Sequence, residues 1–257
     1  MELEDKPTVG AALLGAGARW PDQEAFVCDG IRLTYRDLAD GARRTAAALI
    51  ARGVRKGDAI AICVGNSAIW PTLFYAGALI GAVAVPIATA SASAERVDRL
   101  RRSKSVLLVT EVDPLPDGVA PPHLHTVVAL GRAVPPGAIG YGAFQGQVGT
   151  GRAPIDRTAV ERAAAAVGPD DAALLDDPAG ALLSHAGLLC AGADAATRIG
   201  ARLGDRYFTP RPFDVVAAAL PILVALSAGA CLLTAPTLDA AEADRIMARE
   251  RGAPLPG

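Results

Sequence analysis

Short apolar runs alternate with segments of helical spacing along most of the chain. This alternation limits the fold more than any single residue does. Ala59 to Val64, Val83 to Pro86, Ser105 to Thr110, Ala172 to Leu175 and Ala230 to Thr234 are uncharged and too short for helices. His125 to Leu130 adds a further strand. Between these runs lie helix signals. Thr34-Tyr35-Arg36-Asp37 has the form of a capping box, with an acid three residues after a threonine. Leu38, Ala42, Thr45 and Leu49 follow at helical spacing, and Gly53 marks the stop. Asn66-Ser67 opens a second helix through about Leu79. Ala94 to Arg102, Arg157 to Val167, Ser184 to Leu203, Val215 to Ala228 and Leu238 to Arg251 read as helices, with Ser184 as an N-cap. Strands that alternate with helices predict an α/β fold with a mixed, largely buried sheet flanked by helices. Residues 131–156 are rich in glycine and proline and lack periodicity. They read as an exposed flexible loop joining a first α/β part (1–130) to a second (157–257).

Charge and composition exclude several classes. The formal net charge of −2 gives no basic surplus for nucleic-acid binding, and Lys6, Lys56 and Lys104 are the only lysines. The uncharged stretch Val215 to Ala235 is long enough to raise a membrane helix. Pro221, Ser227 and Gly229 interrupt it, so a buried helix followed by a buried strand is expected instead. The acidic start Met1-Glu2-Leu3-Glu4-Asp5 is unlike a signal peptide. Cys28, Cys63, Cys190 and Cys231 are far apart, without any CxxC spacing, and His123, His125 and His185 complete no zinc pattern. We read four buried thiols, a cytoplasmic chain and no metal site.

General catalytic motifs are missing. Gly140-Tyr-Gly142-Ala-Phe-Gln-Gly146 has the wrong third spacing for a dinucleotide fingerprint, and there is no GxSxG elbow, Walker lysine or HExxH.

A collinear series of short segments does resemble a known group. Arg19-Trp20-Pro21-Asp22 with Glu24-Ala25, then Leu33-Thr34-Tyr35-Arg36-Asp37-Leu38, resembles the opening of the adenylate-forming superfamily. That superfamily includes acyl- and aryl-CoA ligases and peptide-synthetase adenylation domains. The likeness continues through Ala51 to Asp58, Asn66-Ser67, Gly81 to Pro86, Leu107 to Thr110, Leu183-Ser184-His185, Gly204-Asp205-Arg206-Tyr207 and Leu226 to Ala230. It implies the N-terminal part of the ligase fold, truncated, with the chain stopping inside the large domain. The later half of the family pattern, with its adenine and ribose contacts and a mobile catalytic domain, has no counterpart here.

The resemblance also implies lost chemistry. The family's ATP loop reads Y-T-S-G-T-T-G-x-P-K-G just before the serine-histidine pair. Its hydroxyls and glycine amides wrap a triphosphate. The corresponding stretch here is Leu174-Leu175-Asp176-Asp177-Pro178-Ala179-Gly180-Ala181, with the hydroxyls gone and alanine for the lysine. Two carboxylates about 5 Å from a phosphate charge would each oppose it by roughly 3 kcal/mol at an effective dielectric near 20. A bridging Mg²⁺ would reverse the sign, but no hydroxyl-bearing loop accompanies the acids. ATP and Mg²⁺ are therefore expected to be lost as cofactors. Near Pro212-Phe213-Asp214, where the family has an aromatic and a histidine lining the acyl site, an aspartate stands instead.

These departures imply a degenerate homologue that no longer adenylates and serves as an acyl-binding or scaffold module, in secondary metabolism. An apolar surface left uncovered implies a homodimer or a complex with a synthase or carrier protein. The small molecule implied is an acyl or polyketide-type compound. An alternative is an ATP-independent enzyme of proton transfer or cyclisation, with His185, Asp214 and Asp177 as base, orienter and acid in some order. Another is a split ligase half completed in trans. Against these stand plainer readings: His185 as a surface imidazole behind a helix cap, Asp176 and Asp177 as solvated acids, Tyr207 and Phe213 as core, and Trp20 and Trp70 as packing.

Overall fold

The computed structural model describes residues 7–113, 115, 119–131, 133–148, 151–152, 156–176, 180–213, 219–236 and 239–255. The chain opens with α1 (Val9–Arg19), capped by the Thr8 hydroxyl, which accepts from the Ala11 N–H. Strands β1 (Glu24–Cys28) and β2 (Ile31–Thr34) form a hairpin. Its two turn residues, Asp29 and Gly30, both have positive φ (48° and 76°), the backbone that a tight two-residue hairpin requires. The expected capping box is present: Thr34 and Asp37 exchange hydrogen bonds at the start of α2 (Tyr35–Ala51). Then come β3 (Ala59–Cys63), α3 (Ile69–Ile80), β4 (Val83–Pro86), α4 (Ser93–Ser103), β5 (Leu107–Thr110) and β6 (Thr126–Ala129).

The segment read as an aperiodic loop instead carries short elements: β7 (Ile139–Gly140), α5 (Tyr141–Phe144), β8 (Gln147–Val148) and β9 (Gly151–Arg152). Phe144 is buried, and the Gln145 amide donates to Thr45 on α2, which ties the segment down. The second part runs α6 (Arg157–Ala165), β10 (Ala172–Asp176), β11 (Ala181–Ser184), α7 (His185–Arg198), β12 (Arg206–Phe208), α8 (Ala219–Ala228), β13 (Cys231–Thr234), α9 (Ala240–Glu250) and β14 (Ala253–Pro254). The expected helix over Ser184 to Leu203 is shorter, ending where Gly200 turns to φ +65°. The uncharged stretch after Val215 resolves into α8 and β13. No helix among the described residues is long and apolar enough to cross a membrane.

Two mixed sheets result. One has the order β14-β12-β13-β1-β2, the other β11-β10-β4-β3-β5-β6-β7. Each is parallel except for one antiparallel hairpin strand, β2 or β11. Alternate strand residues serve different layers, as the period of two demands. Phe26, Ile60 and Ile62 join a central core with α1, α2, α3 and α8. Val27 packs toward α9 on the far face of the first sheet, and Ala61 and Cys63 toward α4 on the far face of the second. Helices α2, α3 and α8 thus fill the space between the sheets. The Tyr35 hydroxyl, enclosed there, lies 2.7 Å from the Ala225 carbonyl and 2.8 Å from that of Ala230. Trp70 and Phe213 are fully buried with ring centroids 5.5 Å apart, so both are core residues as read.

Helix crossings use glycine where the backbones meet. A Cβ at Gly192 of α7 would lie 2.7 Å from the Leu223 Cβ and 3.0 Å from its carbonyl carbon on α8. Gly192→Ala is expected to cost about 1–3 kcal/mol through overpacking. Gly15→Ala on α1, where nothing lies within 4 Å, is expected to gain up to about 1 kcal/mol from helix propensity. Urea denaturation of the two variants checks this, and equal signs would contradict the packing.

Candidate functional site

Parallel strands of an open α/β sheet direct their carboxyl ends to one edge, and ligand chemistry in such folds gathers there. Here that edge is formed by Cys63, Pro86, Thr110 and Asp176 in the second sheet and by Phe208 and Thr234 in the first. Asn66, three residues beyond β3, joins the two sheets. Its side-chain oxygen accepts from the Phe213 N–H at 2.8 Å. Its amide nitrogen donates to the Thr234 hydroxyl at 2.7 Å and to the Arg211 carbonyl at 3.1 Å. The Thr234 hydroxyl in turn donates to the Thr209 carbonyl. The sequence reads Asn66-Ser67 as a helix start. The helix begins later, at Ile69, without a side-chain cap, because the Asn66 amide is spent across the molecule. The residues it fixes, 209–213, lead directly to Asp214, which lies outside the described residues.

Asp176 ends β10 at this edge and pairs with Ala181 across the hairpin. Gly180, just before β11, has φ +68°. Asp177, Pro178 and Ala179 lie outside the described residues. The side chains of 176–181 offer two carboxylates and no hydroxyl, amide or cation. These side chains present acceptors and no donor to a triphosphate, whose anion sites use N–H, hydroxyl or cationic partners, so only backbone N–H groups remain to meet one.

His185 sits at the other end of the hairpin. The ladder runs from Asp176↔Ala181 to Ala172↔Ser184, so about 13 Å of strand separates Asp176 from the start of α7. Ser184 caps α7, accepting from the Gly187 N–H, as expected. The His185 imidazole, however, is fully buried, which corrects the reading of a surface ring. Its Nδ1 accepts the Val9 N–H of α1 at 3.3 Å, and its backbone N–H donates to the Asp171 carbonyl. Desolvation holds the imidazole pKa down at about 4. Asp171 works against that shift and Lys56 adds to it. Lys56 and Asp171 pair at 2.7 Å. Burial pushes the Asp171 carboxyl up, but Lys56 and the Gly168 N–H outweigh it and hold it below the ordinary range. The structure therefore brings His185 to Val9, Asp171 and Lys56, not to Asp176.

The cysteines add no nucleophile in the interior. Burial pushes the Cys28 and Cys231 thiols up to about 12. Cys190, expected to be buried, is exposed on α7. No metal-ligating cluster of acids, histidines and cysteines occurs among the described residues. Sequence reasoning missed the Asn66 junction, because an asparagine before a helix carries the same local signal whether it caps or bridges.

Known proteins match along the same span. The family of AMP-binding enzymes matches residues 15–251. The long-chain-fatty-acid–CoA ligase FadD13 of Mycobacterium tuberculosis is 30% identical over 243 residues, covering 90% of this chain and 46% of that protein. A CoA ligase of the same organism, named for a methyl-dioxo-octahydroindenyl propanoyl substrate, is 31% identical over 270 residues, covering 99% and 52%. The chain thus spans about half the length of these relatives. The crystal structure of the N-terminal domain of FACL13 from M. tuberculosis superposes with a TM-score of 0.76 at 24% identity, covering 96% of this chain and 62% of that one. That likeness shows the fold.

Proposed function

The chain belongs to the AMP-binding enzyme family, and from that premise we propose that it is an acyl-binding or scaffold module that has lost ATP-dependent adenylation. The observation that carries this reading is the β10–β11 hairpin. Its closing residues offer acids where a nucleotide needs donors, and the N–H groups that open α7 lie a strand length away at the opposite edge. A helix N-terminus is the usual second half of an anion site, and here it cannot reach the tip. Asp176 and Asp177 would repel the triphosphate, and Mg²⁺ would find two carboxylates without the accompanying hydroxyls. The ligand of such a module is an acyl or polyketide-type molecule held near residues 209–213, beside the Asn66 junction. Leu182 on the edge strand β11 and Leu203 after α7 are more than half exposed. They support a partner surface, for a second copy or for a synthase or carrier protein of secondary metabolism in the cytoplasm. The alternative of a His185–Asp214–Asp177 catalyst is not favoured, because His185 is enclosed at the far edge.

The test is a thermal titration with ATP and Mg²⁺. A ligand at 100 times its Kd stabilises by about 2.7 kcal/mol, several degrees for a domain of this size. No shift and no release of AMP or pyrophosphate is expected. A saturable shift overturns the proposal. Adenylate formation only after a second polypeptide is added would assign the chain to a split ligase instead.

A further inference from the structure

His185 is the one histidine of the chain that the fold encloses completely, and its two ring nitrogens have unequal surroundings. Nδ1 accepts the Val9 N–H at 3.3 Å. Nε2 is buried with no hydrogen-bond partner among the described residues. Nδ1 must be unprotonated to accept, so the ring is the neutral tautomer with its proton on Nε2. Adding a proton to Nδ1 sets one donor against another and leaves the second N–H still without an acceptor. The carboxylate that acts on the ring electrostatically, Asp171, is already engaged by Lys56 and by the Gly168 N–H, so it does not offer the cation a free acceptor. Helix α1 brings no acid or base to this place, since its one charged residue, Arg19, is at the opposite end. The uncharged helices α3 and α8, which pack on α1, carry no carboxylate or cation either.

The element that depends on this bond is α1. It is held by Val9, Leu13 and Ala16 in the central core and by the close approach of Gly10 to Leu79 of α3. Among the described residues, its first turn is hydrogen-bonded to α7 through the Val9 N–H and the His185 imidazole. We propose that His185 is an acid-sensitive latch: a solvent proton taken up on Nδ1 breaks its bond to Val9, and α1 lifts from α7 and the α2–α3 pair. The released helix uncovers the apolar faces it had covered, so acidification converts a closed helical layer into an exposed one.

The direction follows from linkage. The opened chain binds a proton at an ordinary histidine pKa of 6.5, whereas the closed one resists until about 4. Closure is therefore fully favoured above about pH 6.5 and weakens as pH falls toward about 4, where the loss is complete. Hydrogen exchange read by mass spectrometry on the full chain tests the latch. After correction for intrinsic rates, protection of the Val9–Arg19 amides is expected to fall on the order of fifty-fold between about pH 7 and pH 4.5. The amides of β3 and β5 should fall far less. His185→Asn keeps an acceptor oxygen near the Nδ1 position and does not titrate, so α1 protection in that variant should be flat with pH. Unchanged protection of α1 in the native chain, or the same loss in His185→Asn, overturns the proposal. Should His185→Asn fail to fold, the imidazole of the native protein decides by NMR. A midpoint well below 6 that coincides with loss of α1 protection supports the latch, and a midpoint near 6.5 overturns it.

Discussion

Asn66→Ala is expected to lower the melting temperature by about 10 °C. The alanine leaves the Phe213 N–H and the Arg211 carbonyl without their partner, and it takes the donor from Thr234 Oγ1. Thr234 keeps its bond to the Thr209 carbonyl, so it is half satisfied. An unsatisfied buried backbone group costs about 1–3 kcal/mol; Phe213 is buried and the bond to the Arg211 carbonyl only partly so, so the loss is about 3 kcal/mol in sum. For a domain of this length each kcal/mol moves the midpoint by roughly 2–4 °C. Asn66→Asp separates the two halves of the junction. Its carboxylate still accepts from Phe213 but cannot donate to Arg211 or Thr234, and it brings a buried charge. That variant should regain stability as pH falls and the carboxyl protonates, the reverse of the native trend. Denaturant midpoints at two pH values measure this, and an Asn66→Ala protein within about 1 kcal/mol of the native one would show that the junction does not hold the sheets together.

The parts of the fold that were legible in the sequence are those with local causes. The Thr34–Asp37 box, the Gly53 stop and the runs that became β3, β4, β5 and β13 each draw on neighbours a few residues away. The β1–β2 hairpin had a local signal too, Asp29-Gly30 between apolar runs, and it is missing from the sequence reading. Between Val9 and Arg19 helix α1 carries only alanine, glycine and leucine, so its core face does not stand out from its solvent face by residue type. Partners set by the fold were not legible. Asn66 and Phe213 are 147 residues apart, and His185 and Val9 are 176 apart. A serine-histidine pair reads as a cap and a free ring, and only the packing of α1 over α7 encloses that ring. The composition of residues 176–181, two acids and no hydroxyl, was legible in the sequence, whereas the geometry depends on which sheet edge each end of the hairpin occupies.

Glu250 presents the other large effect. It is the last residue of α9, where a helix end carries partial negative charge and disfavours a carboxylate. Its side chain is nevertheless only 5% exposed, with Arg32 at 2.7 Å, Arg206 at 2.8 Å and Arg249 at 3.1 Å. Glu24 of β1 completes the cluster by binding both Arg32 and Arg206. The group clasps α9 to β1, β2 and β12. Hydrogen bonding from Arg32 holds the Glu250 carboxyl below its ordinary range, and Arg206 does the same for Glu24. Removing one partner of a buried charge pair costs about 3–5 kcal/mol. Arg32 and Arg249 are 48% and 61% exposed, so water takes over part of their solvation and the lower end, about 3 kcal/mol, is expected for Glu250→Ala. Both carboxyls are depressed in the folded chain, so their contribution is present above about pH 4.5 and is lost as pH falls through the lowered values. This acid step begins at the lower end of the His185 window and extends below it. Glu250→Gln should therefore remove part of the lower step while leaving the upper one in place, and His185→Asn should do the converse. Chemical denaturation across the acid range resolves the two. A single step erased by either substitution would mean that α1 and α9 open as one unit.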